Sequence, residues 1–186
     1  MTRMRAALPA AIALGSNQGD REATLRAAVG AISELDGVTV RAASDIVETP
    51  ALTLHGIDHT APAYLNAVVL VRSSLTPEQL LAELHRIEND LGRVRTERWG
   101  DRTLDLDLID FAGLTRSSDT LTLPHPRAHE RAFVLHPWNS VHADALLPGR
   151  GRVADLLATV TDPVAVFDAA PLWPVVPSQQ RAGGAG

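Results

Sequence analysis

The sequence predicts an α+β fold: a ferredoxin-like βαββαβ antiparallel sheet with helices packed on it and a short C-terminal extension. Three observations predict it. The apolar spacing switches between strand and helix periods in the order strand, helix, strand, strand, helix, strand. Both helical stretches open on a capping signal and stop at a glycine, and the last strand alternates Leu with Asp through Leu104-Asp105-Leu106-Asp107-Leu108. With 186 residues, 45% of them hydrophobic, the chain can bury one core. The expected organisation is a single domain over 8–162 and a Pro/Gly-rich tail over 163–186.

The elements follow in order. Ala10-Ala11-Ile12-Ala13-Leu14 reads as the first strand, ending at the turn Gly15-Ser16-Asn17-Gln18-Gly19. Asp20 is a plausible N-cap for a helix whose Leu25, Ala28, Val29, Ile32 and Leu35 fall on one face and which Gly37 closes. Residues 38–47 are β-branched and roughly alternating, and are expected to form one strand. A long loop separates them from Tyr64 to Val71, whose run Ala67-Val68-Val69-Leu70-Val71 is typical of a buried strand. Thr76-Pro77-Glu78-Gln79 is a capping box with Pro at the first helical position, and the stripe Leu80, Leu81, Leu84, Ile87 and Leu91 stops at Gly92. Leu104 to Phe111 supplies the fourth strand, with both helices on one face of the sheet. Beyond it come a short strand at Leu121-Thr122-Leu123, an extended turn at Pro124-His125-Pro126 and a further helix between Glu130 and Trp138. From Pro163 the composition is too poor in burial to offset ordering entropy, so the tail is expected to be mobile.

Composition narrows the function. A net charge of −5 with only three Trp, three Phe and one Tyr argues against a nucleic-acid surface, which is normally basic and carries stacking rings. No apolar run approaches the length of a membrane span, and residues 1–9 lack a secretory hydrophobic region, so no membrane association and a cytoplasmic location are expected, as is a monomer. The absence of cysteine excludes disulfides, thiolate metal sites and Cys nucleophiles. No Gly-x-x-x-x-Gly-Lys-Ser/Thr segment exists, which excludes a P-loop kinase.

The chemistry concentrates between residues 92 and 108. In a strand, Leu104, Leu106 and Leu108 point one way while Asp105 and Asp107 point together the other way. Asp is depleted in strands and the paired carboxylates repel, so a bound hard cation, most naturally Mg²⁺, is the simplest reason for the pattern. The alternative is an amphipathic edge strand whose acids only face water. Arg93, Arg95, Arg98 and Arg102 lie alongside, and guanidinium groups grip phosphate oxygens bidentately. Acids for a metal and arginines for phosphates thus lie close together. Two other readings fit such a pair: a two-metal nucleotidyltransferase, which requires a template or tRNA surface, and a metal-free ligand-sensing module, which leaves the acids unexplained. His55 and His59 are four apart without a helical pattern and are read as solvated.

These residues resemble the 6-hydroxymethyl-7,8-dihydropterin pyrophosphokinase family of folate biosynthesis. The resemblance covers about residues 10 to 160. It rests on Ala13-Leu14-Gly15-Ser16-Asn17, Glu48-Thr49-Pro50, Tyr64-Leu65-Asn66-Ala67, His85-Arg86-Ile87-Glu88 with Leu91-Gly92-Arg93, the run from Arg98 to Leu108, Leu123-Pro124-His125-Pro126-Arg127, and Glu130-Arg131-Ala132-Phe133. Asp101 departs from the Pro usual between Gly100 and Arg102, and the 53–62 loop is longer than in compact members.

The resemblance implies transfer of pyrophosphate from ATP, as co-substrate, to the hydroxymethyl group of the pterin, yielding AMP. It implies that Asp105 and Asp107 hold two Mg²⁺ ions, that Arg95, Arg98 and Arg102 clamp phosphates, and that His125 lies close to those phosphates. A metal-bound alcohol loses its proton more easily, so Asp107 or solvent is expected to accept it without a dedicated histidine base. On the nucleotide side it implies His85, Glu88, Leu108, Thr122 and Arg131, with Trp99 moving with the arginine loop to close it. On the pterin side it implies Thr49, Pro50 and Leu52, the amide of Asn66, and a flat slot between Tyr64 and Phe133.

Overall fold

The computed structural model describes residues 5–53, 56–58, 60–92 and 103–174. Its centre is β1 (Leu8–Ser16), flanked antiparallel by β6 (Tyr64–Ser73) on one side and β7 (Asp105–Phe111) on the other. The far edge of β6 pairs with β2 (Val38–Ala43) and then with β3 (Val47–Thr49), and β12 (Ala165–Val166) adds to β3. The path is β12-β3-β6-β1-β7, which leaves β7 on an edge.

Two amphipathic helices cover one face. α1 (Arg21–Ser33) starts where the Asp20 carboxylate accepts the Ala23 amide at 3.0 Å, and it buries Leu25, Ala28, Val29 and Ile32. α2 (Pro77–Asp90) opens on the reciprocal Thr76/Gln79 capping box and buries Leu80, Leu84 and Ile87. These residues pack on Ile12, Leu14, Ala67, Val69, Leu106 and Leu108 to form the main core. Gly37 takes φ +80° in the turn into β2, where a Cβ would sit 2.6 Å from the Ser74 hydroxyl.

The helices are not confined to that face. α3 (Ala132–Val141) and α4 (Val153–Leu157) pack Val134, Leu135, Trp138 and Val153 on Ala11, Ala13, Val68 and Ile109, which point the other way. They cover only part of it, and the uncovered part holds the cleft described below.

Three further departures from the sequence reading have local causes. The strand expected over 38–47 divides at Ser44. There the Ser44 hydroxyl accepts the Val68 amide at 2.9 Å in place of a backbone carbonyl, just after a register shift between Val40 and Ala42. The long loop contains a hairpin, β4 (Ala51–Thr53) with β5 (Gly56–Asp58). Residues 163–174 of the expected tail lie on the fold: β12 pairs with β3, Arg26 donates to the Ala170 and Pro171 carbonyls at 2.6 and 3.0 Å, and Leu172 joins the core. Smaller pairings are β8 (Arg116–Ser117) with β9 (Thr122–Leu123) and β10 (Leu146–Leu147) with β11 (Gly151–Arg152).

A β-bulge in β7 has the largest consequence for the site. The register runs Leu108 opposite Ile12 and then Asp110 opposite Ala11, so Ile109 is the extra residue. Strict alternation would turn Phe111 away from the main core, and the bulge returns it there. The Ile109 carbonyl instead accepts the His125 amide at 2.8 Å.

Candidate active site

The floor of the cleft is a patch of sheet. Asn66 on β6, Gly15 on β1 and Asp105 on β7 stand in one cross-strand row, and Val68, Ala13 and Asp107 stand in the next. Asp105 and Asp107 are half-buried on the face that α1 and α2 leave, while Leu104, Leu106 and Leu108 are buried on the other. Alternation thus delivers both carboxylates to one side of a cleft of about 320 Å³.

Gly15 sits between the two polar ends of that row. A Cβ built there would lie 3.2 Å from the Asn66 Oδ1, a close approach that glycine leaves open. The Asn66 amide donates to the Thr49 hydroxyl at 3.0 Å, and Thr49 stands opposite Tyr64 across the β3–β6 ladder. Thr49, Pro50, Tyr64 and Asn66 therefore form one end of the cleft, and Phe133, from the first turn of α3, adds a second ring. Leu52 lies in β4, and its side chain is outside the described residues.

The acidic end is fixed by neighbours. Arg131 approaches Asp107 at 3.6 Å, and its guanidinium carbon is 5.5 Å from the centre of the Phe133 ring. Arg131 therefore bridges the metal-ligand candidates and the aromatic end. His125, held by the bulge carbonyl, has its pKa lowered. Burial is the largest cause; Asp107 opposes it, and Arg131 and Arg127 add to it. The His125 Nδ1 accepts the Arg127 amide at 3.2 Å, so a neutral ring carries its hydrogen on Nε2.

The edge strand between the acids is also anchored. Glu88 on α2 is only 3% exposed, and its Oε1 accepts the Leu106 amide at 2.7 Å. Ser16 donates to the Thr103 carbonyl at 2.6 Å, which fixes the chain just before β7.

The cleft brings together Thr49, Pro50, Tyr64, Asn66, Asp105, Asp107, Arg131 and Phe133. Of the described nucleotide-side residues it takes in Arg131 alone. His85 is exposed on α2, Glu88 is buried under β7, and Leu108, 3% exposed, belongs to the main core; Thr122 is exposed on β9. Arg95, Arg98, Trp99 and Arg102 lie outside the described residues. Arg127 lines the cleft with no role read from the sequence, although it closes the Leu123-Pro124-His125-Pro126-Arg127 motif. The positional signal for it is its placement two residues after His125.

The sequence model of the family described as 7,8-dihydro-6-hydroxymethylpterin-pyrophosphokinase (HPPK) matches residues 11–143. A 2-amino-4-hydroxy-6-hydroxymethyldihydropteridine pyrophosphokinase of Haemophilus influenzae is 37% identical over 155 residues, covering 83% of this chain and 94% of its own. One of Bacillus subtilis is 46% identical over 126 residues, 68% of this chain and 73% of its own. Among solved structures, a triple mutant of Plasmodium falciparum HPPK-DHPS with SDX-DHP superposes with a TM-score of 0.66 at 12% identity, over 84% of this chain and 45% of that longer one. At that identity the likeness shows the fold alone.

Proposed function

This chain belongs to the 7,8-dihydro-6-hydroxymethylpterin-pyrophosphokinase family, and from that premise we propose how its cleft acts. The chain transfers pyrophosphate from ATP to the hydroxymethyl group of 6-hydroxymethyl-7,8-dihydropterin, a step of folate biosynthesis. The observation that carries the reading is the joint presence, in the lining of one cleft, of two sheet carboxylates, two aromatic rings and the Asn66 amide. The order β7-β1-β6-β2 with its α1 and α2 crossovers supports classing the sheet as ferredoxin-like.

Asp105 and Asp107 fit Mg²⁺. Two hard oxygen ligands on one wall of an open cleft leave the remaining positions to phosphate oxygens and water, which is how Mg²⁺ is usually held in phosphoryl-transfer sites. Two bound ions would neutralise the ATP phosphates and make the β-phosphorus more electrophilic.

The chain's own groups supply the rest. Tyr64 and Phe133 stack on the faces of the pterin, while Asn66, oriented by its bond to Thr49, addresses the ring edge with a donor and an acceptor. That pose turns the hydroxymethyl group towards the acid pair. Its oxygen attacks the β-phosphorus, the α–β bridging bond breaks, AMP leaves, and the hydroxyl proton passes to Asp107 or solvent. Arg131 exchanges its Asp107 contact for a phosphate, and the neutral His125 donates from Nε2 to a phosphate oxygen. Arg95, Arg98 and Arg102 clamp phosphates, with Trp99 on their loop. His85 and Thr122 address the nucleotide directly; Glu88 and Leu108 act on it by holding β7.

Purified protein incubated with ATP, Mg²⁺ and 6-hydroxymethyl-7,8-dihydropterin should yield AMP and a pterin diphosphate in equal amounts. ADP in place of AMP would mean ordinary kinase chemistry, and absence of turnover would overturn the reading.

A further inference from the structure

Arg21 lies outside the cleft and outside every motif that points to catalysis, yet its contacts tie together the two chain segments that build the pterin end. It occupies the first turn of α1, immediately after the Asp20 cap. A cation there faces the positive end of the helix dipole, so α1 alone does not favour it. The compensation comes from elsewhere. The Arg21 Nη1 donates to the Glu48 carboxylate at 2.9 Å and to the Ala63 carbonyl at 2.7 Å.

Those two partners are well placed. Glu48 precedes Thr49 and Pro50, and Ala63 precedes Tyr64; Thr49, Pro50 and Tyr64 all line the cleft. β3 has only three residues, and its ladder to β6 ends at the Thr49–Tyr64 pair. A ladder that short leaves its register weakly fixed, and the guanidinium bridges it at the end where the hairpin-bearing segment departs and returns. Arg21 and Glu48 are both partly buried, with side chains 26% and 38% exposed, so the pair is less screened than a fully exposed one.

We infer that Arg21 is a positioning residue for the pterin end of the cleft: it acts through Glu48 and the Ala63 carbonyl to hold Thr49 and Tyr64 in register without touching substrate. The inference rests on the pyrophosphokinase reading of the cleft. The acid pair on β7 is on the other side of β1 from this bridge, so the metal and ATP end should be indifferent to it.

The test is steady-state kinetics with each substrate varied in turn, on wild type, Arg21→Met, Arg21→Lys, Glu48→Gln and the Arg21→Met/Glu48→Gln double variant. Arg21→Met should raise KM for the pterin about tenfold, equivalent to about 1.4 kcal/mol, and leave KM for ATP near wild type. Arg21→Lys should recover part of the loss, because one ammonium replaces one of the two contacts at best. The double variant should be no worse than Arg21→Met, since both remove the same bridge. An unchanged pterin KM, or equal rises for both substrates, overturns the inference. So does a lowered unfolding midpoint with pterin KM intact, which would mark a purely structural tie. If Arg21→Met fails to fold, Glu48→Gln and Arg21→Lys decide by the same split. Wild type that turns over no pterin removes the functional reading itself, whereas normal wild type with silent variants removes only this inference.

Discussion

Replacing Glu88 with alanine should loosen the strand that carries both acids. Its Oε1 accepts the Leu106 amide at 2.7 Å, and Leu106 stands between Asp105 and Asp107 on an edge strand with no ladder partner on its outer side among the described strands. Both residues are buried, Glu88 to 3% and Leu106 to 1% exposure, so water does not readily replace the lost acceptor. A buried amide left without a partner costs about 1–3 kcal/mol. For a chain of this size each kcal/mol moves the unfolding midpoint by about 2–4 °C, so Glu88→Ala should lower it by roughly 2–12 °C. Turnover measured well below that midpoint should also fall, because the spacing of the two carboxylates is no longer held. Glu88→Gln keeps an acceptor oxygen at the same reach and should retain most of both properties. Thermal unfolding together with kcat checks this. An unchanged midpoint and kcat in Glu88→Ala would mean that Glu88 does not hold β7, and a rise in KM for ATP alone would show that Glu88 acts as a direct nucleotide contact instead.

Asp105→Ala and Asp107→Ala should each cut turnover about a hundredfold or more, the order lost with one preorganised charge-stabilising group, while circular dichroism stays native; full activity in either variant would contradict the metal assignment. Gly15→Ala should raise KM for the pterin more than for ATP, since the new Cβ stands 3.2 Å from the Asn66 Oδ1 and displaces an amide tethered to Thr49; equal effects on both substrates would count against it. Burial raises the Asp110 carboxyl pKa, partly opposed by the Gly113 and Phe111 amides. The folded state therefore holds that proton more tightly than an ordinary aspartate of pKa about 3.9, and the resulting stability is present below that value and lost as pH rises through the folded pKa. Asp110→Asn should accordingly gain stability relative to wild type on going from about pH 3 to about pH 7, and urea unfolding that shows a constant difference would refute this.

Much of the site was legible because it depends on short-range rules. The Leu/Asp alternation placed Asp105 and Asp107 opposite the core, and the caps at Asp20 and Thr76/Gln79 placed α1 and α2. Other features depend on partners far away in sequence. The bulge at Ile109 arises from its pairing with β1, and without it neither Phe111 nor His125 can be placed. Glu88 looks like any helix-surface acid until α2 is laid beside β7, when it becomes the acceptor for a buried amide. The two-residue strand β12 carries no signal of its own, and its pairing with β3 comes only from the assembled sheet. The helix expected between Glu130 and Trp138 is α3, but its place on the second face, and α4 beside it, could not be read in the same way, because the four-strand unit is complete without them. Arg127 was hidden by the reverse problem: it lay inside a recognised motif, but only the folded turn after His125 brings it to the cleft wall.

The most direct measurement is a crystal structure of the chain with Mg²⁺, a non-hydrolysable ATP analogue and 6-hydroxymethyl-7,8-dihydropterin. Mg²⁺ should lie about 2.0–2.1 Å from carboxylate oxygens of Asp105 and Asp107, with the pterin ring between Tyr64 and Phe133 and its edge on Asn66. Metal bound away from that acid pair, or a pterin seated outside the slot, would contradict it.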